Sequence, residues 1–327
     1  MNKNDERKIL NMIFSNQEYS IVDSEEPDFI LTNKKLQVKF GVEITKSYKD
    51  EANARLMHRE HYIDLIIDPE NNKDKGKINK GDRSKLPVHE LTILNDDNTL
   101  GNTIRGIVSK ARHPNDLGNT LLGCIENKEN KLGNYQKQAN QNYLIIYDME
   151  GFLYGENSEK IYEYIANKSL FNMLTKSKFR EIYVITQSTD TETYTGLISS
   201  HFMNSFSNAL SFSNNYDATV DEKLDCTLNI LYNLGFRFKW CFDSSNDAYY
   251  VLYHDCLVKF IKVLNSTYCI VGRMEGIPKG IDLKELELPL KGYRGEYNEF
   301  LKKYDSYIKF ISENEVRHYI YSNSINM

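Results

Sequence analysis

The chain of 327 residues contains no apolar run approaching the roughly 20 residues that a membrane-spanning helix needs, which argues against a bilayer span and predicts no membrane partner. A secretory signal is not expected, because Met1-Asn2-Lys3-Asn4-Asp5-Glu6-Arg7-Lys8 is charged where such a segment would be apolar. Cysteine is sparse: Cys124, Cys226, Cys241, Cys256 and Cys269 form an odd set without a C-x-x-C pair. That excludes a disulfide framework and a zinc ribbon, and it predicts reduced, mostly buried thiols in a cytoplasmic protein. Positive charge is not in excess either. A net charge of -5 and a pI near 5.9 exclude a protein that coats nucleic acid over its whole surface, while leaving room for a local basic groove. There is no internal repeat and no heptad run. His58 and His61 enclose Arg59 and Glu60, which is not the H-E-x-x-H of zinc proteases. Gly76 to Gly81 has the two-glycine spacing of a phosphate loop, but Asp82 stands where that loop needs lysine.

What remains is an ordinary globular composition, with 40% apolar and 27% charged residues and length enough for two domains. Ile9, Leu10, Ile13 and Phe14 fall at helical spacing behind Asp5 and Glu6, which suit a first turn. Residues 19–23, 28–32 and 36–46 read as strands, followed by a long helix over 48–67 that ends before Pro69. Residues 71–85 carry five Lys and one Arg against two Asp and read as a mobile loop, open either to phosphate contact or to simple solvation. Residues 100–136 read as helix in two pieces. Tyr143-Leu144-Ile145-Ile146-Tyr147 is the continuous apolar run of a strand covered on both faces, and a helix over 158–175 and a strand over 182–186 follow. From 187 to 219 a Ser/Thr/Asn-rich stretch holds only a weak helix, so the domain boundary is placed at 190. Beyond it come a helix over 224–234, an antiparallel meander over 236–272 and a closing helix over 296–312. The meander's aromatics, Phe236, Phe238, Trp240, Phe242, Tyr249, Tyr250 and Tyr253, are read chiefly as core. His254-Asp255 lies at a turn without the helical companions of a metal dyad.

One pattern carries chemistry. Asp28 follows Pro27 at the start of one apolar strand, and Glu43 sits inside the next, Gly41-Val42-Glu43-Ile44-Thr45-Lys46. Apolar strands exclude acids because an unpaired buried carboxylate is costly, and a hard cation held by two carboxylates, water and phosphate removes that cost. Each acid alone also has a bland reading, Asp28 as a strand-opening residue and Glu43 as an edge acid or an arginine partner.

An acid opening one strand and an acid-x-lysine triplet on the next is the signature of the PD-(D/E)xK, or restriction-endonuclease-like, nuclease superfamily. Residues 1–190 resemble it in an E-x-T variant, with Thr45 at the third position. The resemblance implies an α/β fold, a restriction-endonuclease-like mixed sheet flanked by helices, ahead of a C-terminal α+β domain over 191–327 that contains the meander. It implies a metal-dependent endonuclease acting on nucleic acid, DNA first, of restriction or phage-defence type. Asp28 and Glu43 would bind Mg2+ or Mn2+ with the carbonyl oxygen of Ile44, and Glu6 would be the extra helical acid that some members use. The missing cation has two candidates. Lys46 faces away from Glu43 in a regular strand and would need a bulge to reach it. Lys128 shares a helical face with Lys131 and Tyr135, on a segment that could equally be a solvated face. The runner-up is a catalytically silent nuclease-like fold that binds nucleic acid or protein. The C-terminal domain would read DNA, bind a partner or form a homodimer, and spacing does not choose among these.

Overall fold

The structure, a computed structural model, describes residues 2–48, 50–94, 99–107, 116–149, 167–188, 191–214, 219–263, 266–273, 284–285 and 302. It divides into two compact units, residues 1–47 with 114–327, and residues 48–113.

The first unit opens with α1 (Lys3–Asn11), β1 (Tyr19–Asp23), β2 (Phe29–Asn33) and β3 (Lys39–Ser47). The second unit then supplies α2 (Glu51–His58), α3 (Tyr62–Ile67), α4 (Asp82–Lys85), β4 (Val88–Leu94) and β5 (Leu100–Ile107). The chain returns to the first unit through α5 (Leu117–Glu129), α6 (Leu132–Tyr135), β6 (Asn142–Asp148), α7 (Lys168–Lys176), β7 (Ile182–Ser188) and β8 (Thr191–Gly196). It continues with α8 (Leu197–Ser213), α9 (Val220–Asn233) and β9 (Lys239–Asp243), then β10 (Ala248–Tyr253), β11 (Cys256–Val263), β12 (Ser266–Arg273) and β13 (Lys284–Glu285).

The first unit is built on a six-stranded mixed sheet in the order β1-β2-β3-β6-β7-β8. Its antiparallel pairs are β1/β2, β2/β3 and β7/β8, while β3/β6 and β6/β7 are parallel. Alternation divides the sheet into two faces. Val42, Ile44, Tyr143, Ile145, Tyr183 and Ile185 pack with Ile9, Leu10 and Phe14 of the α1 region. Leu144, Ile146, Ile182 and Val184 pack with α5, α7, α8 and α9. The helix α1 is started by Asn2, whose side chain accepts from the Asp5 amide at 2.9 Å. The meander is present as a five-stranded sheet, β12-β11-β10-β9-β13, with Phe236, Phe238, Tyr250 and Tyr253 buried as core and Phe242 exposed.

Several expectations change. The boundary at 190 does not separate one core from another, because a single cluster of buried side chains runs from Leu117 through Val184 and Phe202 to Phe260. The split instead isolates 48–113, an insertion between β3 and α5. Residues 100–107 form a strand paired with β4, since Thr103, Ile104 and Ile107 are β-branched and Gly101 and Gly106 disfavour helix. The helix expected over 48–67 is two helices, divided at His61, whose backbone is left-handed at φ 57°. Residues 71–85 are held rather than loose: buried Asp82 accepts from Arg55 Nε and Nη2 at 2.9 and 2.8 Å and from the Tyr62 hydroxyl at 2.6 Å. The weak helix of 187–219 is the 17-residue α8, with Leu197, Phe202, Phe206 and Phe212 buried. Two of its polar side chains bond back along the helix, Asn204 Nδ2 donating to Ser200 O at 2.9 Å and Ser213 Oγ to Ala209 O at 2.8 Å. The helix expected over 296–312, apart from Lys302, and residues 158–166 of that over 158–175, lie outside the described residues.

Candidate active site

Strand β3 carries the central acid. Its pairing with β6 runs without interruption from Gly41–Asn142 to Ser47–Asp148, so no bulge disturbs the alternation. Val42 and Ile44 therefore face α1, while Glu43 and Thr45 face α5. Lys46 turns to the α1 face, away from Glu43. Of the two candidate lysines it is the one the strand geometry leaves out.

Lys128 is brought in by its helix. Leu117, Leu121, Ile125 and Lys128 form one stripe of α5 at spacings of four, four and three, and the three apolar members are fully buried. The burial that seats α5 against the sheet thus aims the ammonium at the same face as Glu43. Lys128 Nζ lies 2.6 Å from Glu43 Oε1, with only 8% of the Glu43 side chain and 18% of the Lys128 side chain exposed. A charge-assisted contact this short and this dry is far stronger than a surface pair.

Asp28 stands at the entry to β2, where the β2/β3 ladder ends at Phe29–Val42. It takes over the next ladder position: Ile44 N–H donates to Asp28 Oδ2 at 2.7 Å. The Asp28 amide donates to Glu43 Oε2 at 3.3 Å. The two acids are tied together, Glu43 to the Asp28 backbone and Asp28 to the amide of Ile44, the residue after Glu43. Burial pushes the Asp28 carboxyl up to about 6, reinforced by the Glu43 charge and opposed by the Ile44 hydrogen bond. Gly41 is required nearby, since a Cβ there would lie 2.2 Å from Asn142 Oδ1 and 2.5 Å from Pro27 Cγ. Its absence lets the Pro27–Asp28 turn close onto β3.

Glu6 reaches the cluster through an intermediary that sequence reasoning did not find. Lys3 Nζ lies 3.0 Å from Glu6 Oε2 and 3.5 Å from Asp28 Oδ1, and donates to Asp28 O at 3.0 Å. Burial works against the Lys3 charge, but the hydrogen bond to Glu6 and the charges of Asp28 and Glu6 outweigh it and raise its pKa. The sequence signal was available, because Lys3 and Glu6 are i, i+3 neighbours on α1. Tyr135 of α6 is also at the site, enclosed with its hydroxyl beside the Glu43 carboxylate. Burial, the Glu43 charge and a hydrogen bond to Glu43 raise the pKa of its phenol, so it stays protonated as a donor toward that carboxylate. Three carboxyl groups, Glu6, Asp28 and Glu43, thus face two ammonium groups, Lys3 and Lys128, leaving one negative charge in excess.

Among the described residues no three His, Cys, Asp or Glu side chains gather into a metal-binding group. Glu6 meets the site through its ion pair with Lys3, while Asp28 and Glu43 are tied directly to one another. Elsewhere, Asp255 is structural, accepting from Arg180 Nε at 2.6 Å and from the Tyr143 hydroxyl. Among the described residues no helix is long and apolar enough to cross a membrane, and Cys124, Cys226, Cys241 and Cys256 are free thiols. Comparison with protein-family models, with characterised proteins and with solved structures finds no match.

Proposed function

We propose that the chain is a metal-dependent phosphodiesterase acting on nucleic acid, a DNA endonuclease of restriction or phage-defence type with a restriction-endonuclease-like core. The observation that carries this reading is the convergence of Asp28, Glu43 and Lys128 from three elements on one half-buried point. The residues suit a Mg2+ or Mn2+ ion. Two carboxylates and an excess of one negative charge match a hard cation that keeps several water or phosphate ligands. Ile44 also fits as a third donor, because its N–H is directed at Asp28 and a residue paired in a ladder presents N–H and C=O to the same edge.

When bound, the ion would neutralise charge on the scissile phosphate and acidify an attacking water. Asp28 and Glu43 hold that position. The Lys128 ammonium, anchored on Glu43, supplies the cation that Thr45 cannot, and it is placed to orient a water or stabilise developing negative charge. Tyr135 offers a protonated hydroxyl to the same charge. Lys3 and Glu6 fix the backbone of Asp28 and so act as positioning residues.

The test is cleavage of DNA by the full chain in Mg2+ or Mn2+, with Glu43→Gln and Asp28→Asn expected to abolish turnover while the thermal melt stays cooperative. Undiminished cleavage by both variants would refute the assignment. A second reading, a silent nuclease-like fold that binds nucleic acid or protein, draws on the 2.6 Å Lys128–Glu43 pair, which satisfies Glu43 without any ion. In that case no divalent ion supports cleavage and EDTA has no effect.

A further inference from the structure

The 48–113 unit contains, wholly within itself, a cleft of about 620 Å3 whose lining has no carboxylate. Its rim carries Lys73, Lys77, Lys80 and Arg83, all exposed, and no ion pair holds any of them among the described residues. Four cations around one cleft with no carboxylate in its lining focus a positive potential that favours an anionic occupant. Of the two acids in residues 71–85, Asp74 lies outside the lining, and the Asp82 carboxylate is buried and engaged by Arg55 and Tyr62. The same anchorage shapes the rim. Tyr62 Oη accepts from the Asn79 amide at 3.0 Å, and Arg59 Nη1 donates to Lys77 O at 2.9 Å. Gly76 and Gly81, at φ 135° and 90°, allow the turns on either side.

The floor is different in kind, formed by Leu65, Pro69 and Ile78. An inorganic anion would leave that floor uncovered. A cleft of this volume matches sites for small organic ligands, which bury an apolar body and fix it with a few polar groups. We propose that this cleft binds a nucleotide unit, its phosphate against the lysines and Arg83 and its base or sugar face on the apolar floor. The shared chemistry is a phosphorylated nucleoside, whether within a single strand or free.

The experiment is fluorescence anisotropy of a labelled single-stranded DNA oligonucleotide on the full chain in EDTA, with salt titrated. Wild type is compared with Lys73→Gln/Lys77→Gln/Lys80→Gln/Arg83→Gln, whose changes are all exposed and whose fold is checked by circular dichroism. Each lost single-strand phosphate contact flattens the slope of log K against log salt by about 0.7. The cleft holds one phosphate, so the variant's slope should be shallower by about 0.7, and wild type should lose about 3-fold more affinity than the variant between about 50 and 200 mM salt. Calorimetry with a nucleoside monophosphate separates the sources: binding that the variant loses assigns a free nucleotide, and its absence beside the altered oligonucleotide slope assigns a strand. An unchanged slope together with no monophosphate binding overturns the proposal. Competition by inorganic phosphate as effective as that of the monophosphate overturns the nucleotide assignment. The cleft residues take no part in the Asp28–Glu43 site, so Glu43→Gln that binds normally but does not cleave, or the converse, tells failure of one claim from failure of the other.

Discussion

Glu181 offers the sharpest test of how this fold is held, because a single carboxyl group starts a helix that has no side-chain cap of its own. Glu181 Oε1 accepts from the amides of Ile182 at 2.9 Å and Ile198 at 2.8 Å. Its Oε2 accepts from the Ser199 amide at 3.1 Å and from the Ser199 hydroxyl. Two of these amides belong to the first turn of α8, whose N-cap is Gly196. Burial nevertheless raises the carboxyl from 4.5 to about 7, with the four donors opposing the rise. The folded protein then binds this proton more tightly than the unfolded chain does. The proton's contribution is fully present below pH 4.5 and is lost as pH rises to about 7. At 1.36 kcal/mol for each tenfold change in affinity, the loss is about 3 kcal/mol. Glu181→Gln keeps the size and one accepting oxygen but does not titrate, so its stability, lower by whatever its NH2 group cannot accept, lacks this pH dependence. Urea unfolding from pH 4 to 8 should show wild type losing about 3 kcal/mol relative to Glu181→Gln as pH rises. A constant difference between the two across that range would refute the reasoning.

Further expectations concern the site and its surroundings. Lys128→Met leaves Glu43 buried without its partner and should cost about 3 kcal/mol in urea unfolding, most of which Glu43→Gln in the same chain should restore. Gly41→Ala drives a methyl group into Asn142 and Pro27, and should reduce cleavage more than the roughly 1–3 kcal/mol of overpacking reduces stability, because Pro27 carries Asp28. Replacing His201 with Phe should remove an acid-side loss of stability. Burial lowers this imidazole from 6.5 to about 3, so the unfolded chain takes up a proton that the fold refuses as pH falls below 6.5. A wild-type acid limb unchanged by His201→Phe in the same denaturation series would contradict this.

The features of the site legible in the sequence were those governed by a short period. Alternation along β3 put Val42 and Ile44 opposite Glu43, and spacing along α5 and α6 grouped Lys128 with Tyr135. The choice between Lys46 and Lys128 was not legible, because it depended on whether β3 contains a bulge, a matter of pairing with β6 about a hundred residues later. Lys3 was missed because its partner Asp28 lies across the loop from α1. The α8 helix was underestimated since Ser and Asn lower helix propensity in isolation, whereas here they bond back to the helix or sit against its neighbours. The division of the chain was hidden for a simpler reason: an insertion leaves the sequence continuous while its contacts close on themselves.

Calorimetric titration of Mn2+ into the full chain tests the central claim most directly. The account predicts one ion bound per chain in wild type and none in Glu43→Gln or Asp28→Asn, with both variants still folded. Equal binding by wild type and by the two variants, or no binding by wild type at all, would contradict it.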